Sequence, residues 1–181
     1  MKYFSILVLL FFTSVAFSQD GFYYLKKAHN RYKKGKYNQS LYYLNQAENS
    51  DFGFCGNAWE TSEGEIKILR ARIYDARKEY DKALREIIHF KGCSLGADCS
   101  TADYLKVQIL IHKYGKDRIS NIFNSETSFI RCYDLNSYIT LKIKEINEVF
   151  TFYPMGIYDF KNENYPFNEF IKKLEFYKLI E

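Results

Sequence analysis

One phrase occurs twice in this chain, and it limits the fold more than any other feature. Around Ala28 the chain reads AHNRYKKGKYNQSLYYLNQA, and around Ala71 it reads ARIYDARKEYDKALREIIHF. Each copy sets a small Ala, a tight polar turn, a Tyr nine residues on, a small residue twelve on and an apolar residue sixteen on. These are Ala28, Tyr37, Ser40 and Leu44 in the first copy, and Ala71, Tyr80, Ala83 and Ile87 in the second. Apolar residues at helical spacing on both sides of a polar turn predict a helical hairpin. Paired small residues let its two helices approach closely, while the tyrosine fills the gap at the turn. Repetition predicts that one hairpin stacks on the next.

The copies fall within repeats at about 22–49 and 64–91. Gly35 ends the first helix, since glycine takes the left-handed backbone that stops a helix at little cost. Between the repeats, Ser50 to Glu63 is rich in breakers and has no periodicity, so it reads as a loop. Ser62 with Glu65 offers a capping box for the next helix. Beyond the repeats, residues 101–124 read as a degenerate hairpin, with Val107 where a small residue is needed. Residues 134–150 and 166–180 read as two further helices. Leu135, Tyr138, Ile139, Lys142, Ile146 and Val149 make the stripe of the first. No stretch shows strand alternation between turn signals. The expected fold is therefore all-α: stacked helical hairpins with a C-terminal helical cap.

Residues 1–18 read as a secretory signal, with Lys2, an apolar run from Phe4 to Phe12 and small residues at Ala16 and Ser18 before a cut at Gln19. Residues 19–181 then form a single domain, exported to the periplasm, the cell surface or the medium, with no membrane span after cleavage. Formal net charge is +4, with both signs mixed along the chain. Lys26 to Lys36 is the one basic cluster and reads as a solvated helix face, so no nucleic-acid partner is expected. An even count of four cysteines in an exported chain points to disulfides. Cys93 and Cys99 bracket a glycine-containing loop that can close on itself, which leaves Cys55 for Cys132. The alternative pairs Cys55 with Cys93.

The two phrases resemble the tetratricopeptide repeat, a helix-turn-helix unit of about 34 residues. The likeness rests on Ala28 and Ala71, Tyr37 and Tyr80, Ser40 and Ala83, and Leu44 and Ile87, and it covers residues 22 to 90. The copies are 43 residues apart because of the inserted loop. The resemblance implies a concave face made by the first helix of each repeat. Its surface positions fall on Leu25, His29 and Tyr32 in the first copy, and on Ile68, Arg72 and Asp75 in the second. Relatives that grip a C-terminal carboxylate carry Lys and Asn where Leu25 and His29 stand here, so that clamp is not expected.

No nucleophile elbow, phosphate loop or zinc-binding helix motif occurs, and His29, His89 and His112 lie in separate helices. No cofactor or metal is expected. The inserted loop carries Phe52, Phe54 and Trp59. Aromatic anchors on loops are frequent binding hot spots, and the same rings can instead fold back as a small satellite core. Together these readings predict a non-catalytic scaffold for an unidentified protein or peptide. The alternatives are a secreted enzyme acting on glycans and a disulfide-stabilised structural or inhibitory domain.

Overall fold

The computed structural model describes residues 20–53, 55–88, 90, 99–125, 128–132 and 139–152. Six helices come first: α1 (Asp20–Lys33), α2 (Tyr37–Glu48), α3 (Gly56–Ala76), α4 (Tyr80–Ile87), α5 (Cys99–Tyr114) and α6 (Lys116–Phe123). Three strands follow: β1 (Phe129–Cys132), β2 (Ile139–Ile143) and β3 (Glu148–Phe152). The described chain is mostly helical. None of its helices is long and apolar enough to cross a membrane.

Both repeats close on the same backbone turn. After α1, Gly35 takes φ +67°, its N–H bonds the Tyr32 carbonyl at 2.8 Å, and the Lys36 N–H reaches back to Arg31 at 2.9 Å. After α3, Lys78 takes φ +61°, its N–H bonds Asp75 at 2.8 Å, and the Glu79 N–H reaches Tyr74 at 2.9 Å. This pair of bonds is the Schellman closure, which satisfies the last carbonyls of a helix. The chain then reverses, and Tyr37 and Tyr80 open the second helices.

The small residues sit where the helices meet. Ala28, Ser40, Ala71 and Ala83 are all fully buried. The Ser40 hydroxyl donates to the Ala28 carbonyl at 2.7 Å, which satisfies it without solvent. α3 packs on both sides. Ile66, Leu69 and Ile73 join Leu25, Ala28, Leu44, Ala47 and Phe52 in one core cluster. Ala71 joins a second cluster with residues of α4, α5, α6 and β2, among them Leu84, Ile109, Phe123 and Ile143. α5 and α6 are joined through Gly115 alone, a shorter link than the three-residue turns of the two repeats.

Three expectations are corrected. Residues 139–150 of the expected helix 134–150 are not helical: β2 and β3 pair antiparallel within an antiparallel sheet of order β1-β2-β3, with Thr140 opposite Thr151 and Ile143 opposite Glu148. β-branched Ile139, Thr140, Ile143, Val149 and Thr151 suit a pleated surface. Lys144–Asn147 form the turn, and Asn147 takes φ +52°, a backbone region Asn tolerates better than most residues. Leu141 and Ile143 are both buried, the two-residue period of a strand. Second, α3 starts at Gly56 rather than near Gly64, because Asn57 to Glu63 contains no residue that must break a helix. Ser62 is therefore buried inside the helix and caps nothing. Third, a thiol expected in a bridge is free: Cys55 is exposed and unpaired, so neither pairing that uses it is formed. The side chains of Cys93, Cys99 and Cys132 lie outside the description, as do Phe54, His89, the expected signal segment and the expected helix 166–180.

Polar side chains tie the sheet to the helices. Lys106, on α5, is fully buried; its ammonium donates to the Thr151 carbonyl of β3 and lies 3.3 Å from Asp103. A buried ammonium is tolerated only with such partners. Lys113 bridges Asp81 on α4 and Glu148 on β3, each at 2.7 Å. Burial works against its charge, but hydrogen bonds to Asp81, Glu148 and Tyr114 outweigh that and raise its pKa.

Candidate functional site

The first helices of successive pairs touch in chain order, α1 against α3 and α3 against α5. Each seam carries a histidine–carboxylate pair. His29 Nε2 on α1 stands 2.7 Å from Glu65 Oε1 on α3. That is ion-pair range, but the atom makes no hydrogen bond among the described residues. At the other end of α3, His112 Nδ1 from α5 lies 2.9 and 3.0 Å from the two Asp75 oxygens. Glu65, Ile68, Arg72 and Asp75 recur at helical spacing, so they fall on one stripe of α3. Arg72 lies between the two pairs. It is half-buried and makes no hydrogen bond or ion pair among the described residues.

Of the six residues the sequence assigns to this face, five keep some exposed surface. His29, Tyr32, Arg72 and Asp75 are all partly exposed, with the Tyr32 ring 5.9 Å from Tyr37. Leu25 is corrected: it is 4% exposed and belongs to the core. At that position the chain needs an apolar side chain to seal α1 against its neighbours, so nothing is left for a partner. Ile68 is half-buried and packs against the second core cluster.

The aromatic loop divides between the two fates open to it. Asp51 accepts from the Gly53 N–H at 2.7 Å, and Gly53 takes φ +89°. This local turn folds Phe52 inward, where it is buried. Trp59 stands in the first turn of α3 and is 43% exposed. Its indole N–H donates to the Gly53 carbonyl at 2.8 Å. Phe52 joins the two ends of an aromatic row: its ring lies 5.1 Å from Phe22 and 5.3 Å from Trp59, both edge-to-face.

Beside this row is a pocket of about 270 Å³ lined by Glu48, Phe52, Trp59, Glu60, Glu63 and Ile66. Sequence reasoning did not bring the three glutamates together. Glu60 and Glu63 become neighbours only once residues 56–63 are helical, and Glu48 arrives from α2. Glu63 is paired with Lys67. Glu48 is paired with Arg70 at 2.7 Å, and that hydrogen bond holds its carboxyl below the usual range. Burial works against the Arg70 charge, but the pair with Glu48 still raises its pKa. Glu60 has no ion-pair partner among the described residues. No group of three His, Cys, Asp or Glu among the described residues is arranged to hold a metal. No family model, no curated protein and no solved structure matches this chain.

Proposed function

We propose that this chain is an exported, non-catalytic scaffold of stacked helical hairpins, similar to the tetratricopeptide family, that binds a protein or peptide across the face of α1, α3 and α5. The small-residue seams, the shared turn closure and the contacts of first helix with first helix all support the stacked reading. Arg72 carries the functional part. A half-buried arginine on the helix stripe between two histidine–carboxylate pairs, with no hydrogen bond or ion pair for its side chain among the described residues, is a ready donor for a carboxylate or a backbone carbonyl of a bound segment. The glycan-enzyme reading is weaker. Glycosidic cleavage needs two carboxyls facing each other across the scissile bond, and two of the three in the pocket, Glu48 and Glu63, are engaged by Arg70 and Lys67.

Crosslinked recovery of partners from the cells that make the protein tests this. Arg72→Glu should cut recovery of a specific partner at least tenfold, while Lys116→Glu, an exposed change on α6, should not. Equal recovery by both variants would remove the face from consideration.

A further inference from the structure

The pocket beside Trp59 is built from different residues than the α1–α3–α5 face, and the scaffold reading gives it no occupant. Its walls are apolar or aromatic: Phe52, Trp59 and Ile66. Its polar groups are all carboxylates, and the one on Glu60 is uncompensated by any cation among the described residues. The indole N–H of Trp59 is already spent on Gly53, so this ring offers a ligand its π-system and not a donor. Anions are repelled by the uncompensated Glu60 carboxylate, since Glu48 and Glu63 are already paired with Arg70 and Lys67. Metal ions gain little from a lining of which half is apolar. An organic cation uses both parts of the lining, because its charge is attracted to an aromatic face and to a carboxylate while its carbon atoms cover apolar surface.

The geometry points to an organic ammonium group as the occupant, held against Trp59 and Phe52 with Glu60 as its counter-ion. The size agrees. Pockets for whole drug-sized ligands span about 300–1,000 Å³, and this one, of about 270 Å³, suits a single side chain or head group. Two sources share that chemistry, the lysine side chain of a protein and a free small ammonium compound. The assignment does not depend on the α1–α3–α5 face, so either can fail without the other.

The chain has one tryptophan, so its intrinsic fluorescence reports on this pocket directly. The full chain is titrated with Nα-acetyl-lysine amide and with choline, each beside its neutral isostere, Nα-acetyl-norleucine amide and the tert-butyl analogue of choline. At least one ammonium probe should give a saturable change in Trp59 emission, with its isostere at least tenfold weaker. Glu60→Gln, at an exposed position, should weaken binding about 3- to 10-fold, and added salt should weaken it further. Arg72→Glu should leave the titration unchanged. Saturation by the lysine probe alone assigns the pocket to a protein side chain, and saturation by choline alone assigns it to a free head group. Equal binding of the isosteres, no saturable change with either ammonium probe, or a titration unmoved by Glu60→Gln would overturn the proposal.

Discussion

The two hairpins share a phrase but occupy different positions, and the difference separates what the phrase dictates from what its neighbours dictate. Both bury a small residue on each helix, and both close with the same pair of backbone bonds. Among the described residues, the first hairpin is flanked only on the α3 side, whereas α3 has packed neighbours on both. Exposure follows position. Of the four large apolar side chains exposed among the described residues, Phe22, Tyr23 and Tyr42 lie on the first hairpin, and Trp59 lies in the first turn of α3, against the first hairpin's Phe52 turn. Side-chain choice follows position as well. Ser40 stands in the first hairpin where the second has Ala83, and Gly35 stands where the second has Lys78. Residue size at the seams is common property, and polarity and turn chemistry are local.

The largest effects should come from filling the seams. Ala71→Leu and Ala28→Leu both force a side chain between helices in close contact, at a cost of roughly 1–3 kcal/mol or more. Ala71 faces the cluster formed by α4, α5, α6 and β2, while Ala28 faces fewer elements. Ala71→Leu should therefore lower the urea midpoint more than Ala28→Leu, with the slope of the transition unchanged. Equal losses would mean that the internal position of the second hairpin carries no energetic weight.

A second pair of glycines extends the phrase one heptad towards the N-terminus. Gly21 and Gly64 stand seven residues before Ala28 and Ala71, and each is covered by a ring, Phe52 in one case and Phe90 in the other. A Cβ on Gly21 would meet Phe52 at 2.7 Å and the Asp51 carbonyl oxygen at 2.8 Å, and that oxygen also accepts the Gly21 N–H. A Cβ on Gly64 would meet only the Phe90 ring, at 2.7 Å. A half-buried ring can turn aside and backbone cannot. Alanine also favours a helix over glycine by about 1 kcal/mol, which offsets much of the second clash. Gly21→Ala should cost about 1–2 kcal/mol and Gly64→Ala within about 0.5 kcal/mol, measured by urea unfolding. The reverse order would show that the backbone of Asp51 yields more readily than the ring of Phe90.

The same glycines show how far the sequence could be read. The hairpins were legible because Ala, Tyr, small and apolar positions keep fixed offsets within a single pair of helices. Gly21 and Gly64 repeat at the same 43-residue interval, but their rings arrive at unequal distances along the chain, so no spacing exposes the pairing. The β2–β3 hairpin was misread for a related reason. A short apolar run with Ile139, Lys142, Ile146 and Val149 fits a helical stripe, and only the turn at Asn147 and the partner strands decide for the sheet. Leu25 was placed on the binding face because the family pattern places it there, while the packing of α1 on its neighbours is a tertiary fact. The pocket at Glu60 joins α2, the 51–53 turn and α3, and no contiguous motif records that meeting.

The turns should give smaller effects than the seams, because there the hairpins differ by one residue in one backbone state. Gly35 and Lys78 both hold φ near +60° at the same step of the same closure. A Cβ in that region crowds the following carbonyl, a cost of about 1 kcal/mol that glycine escapes. Nothing lies within 4 Å of a Cβ on Gly35, so steric contact with other elements adds no further penalty there. Gly35→Ala should therefore destabilise by about 1 kcal/mol. Lys78 is exposed and left-handed, so Lys78→Gly should stabilise by about 0.5–1 kcal/mol, less the extra freedom glycine gives the unfolded chain. In thermal unfolding each change corresponds to a shift of roughly 2–4 °C. The two turns share no partner, so their effects should add. The exchange variant, Gly35→Lys with Lys78→Gly, should then melt close to the parent chain. A large net loss would show that the first turn needs glycine for a reason beyond its φ angle, and the equivalence of the two closures would fail.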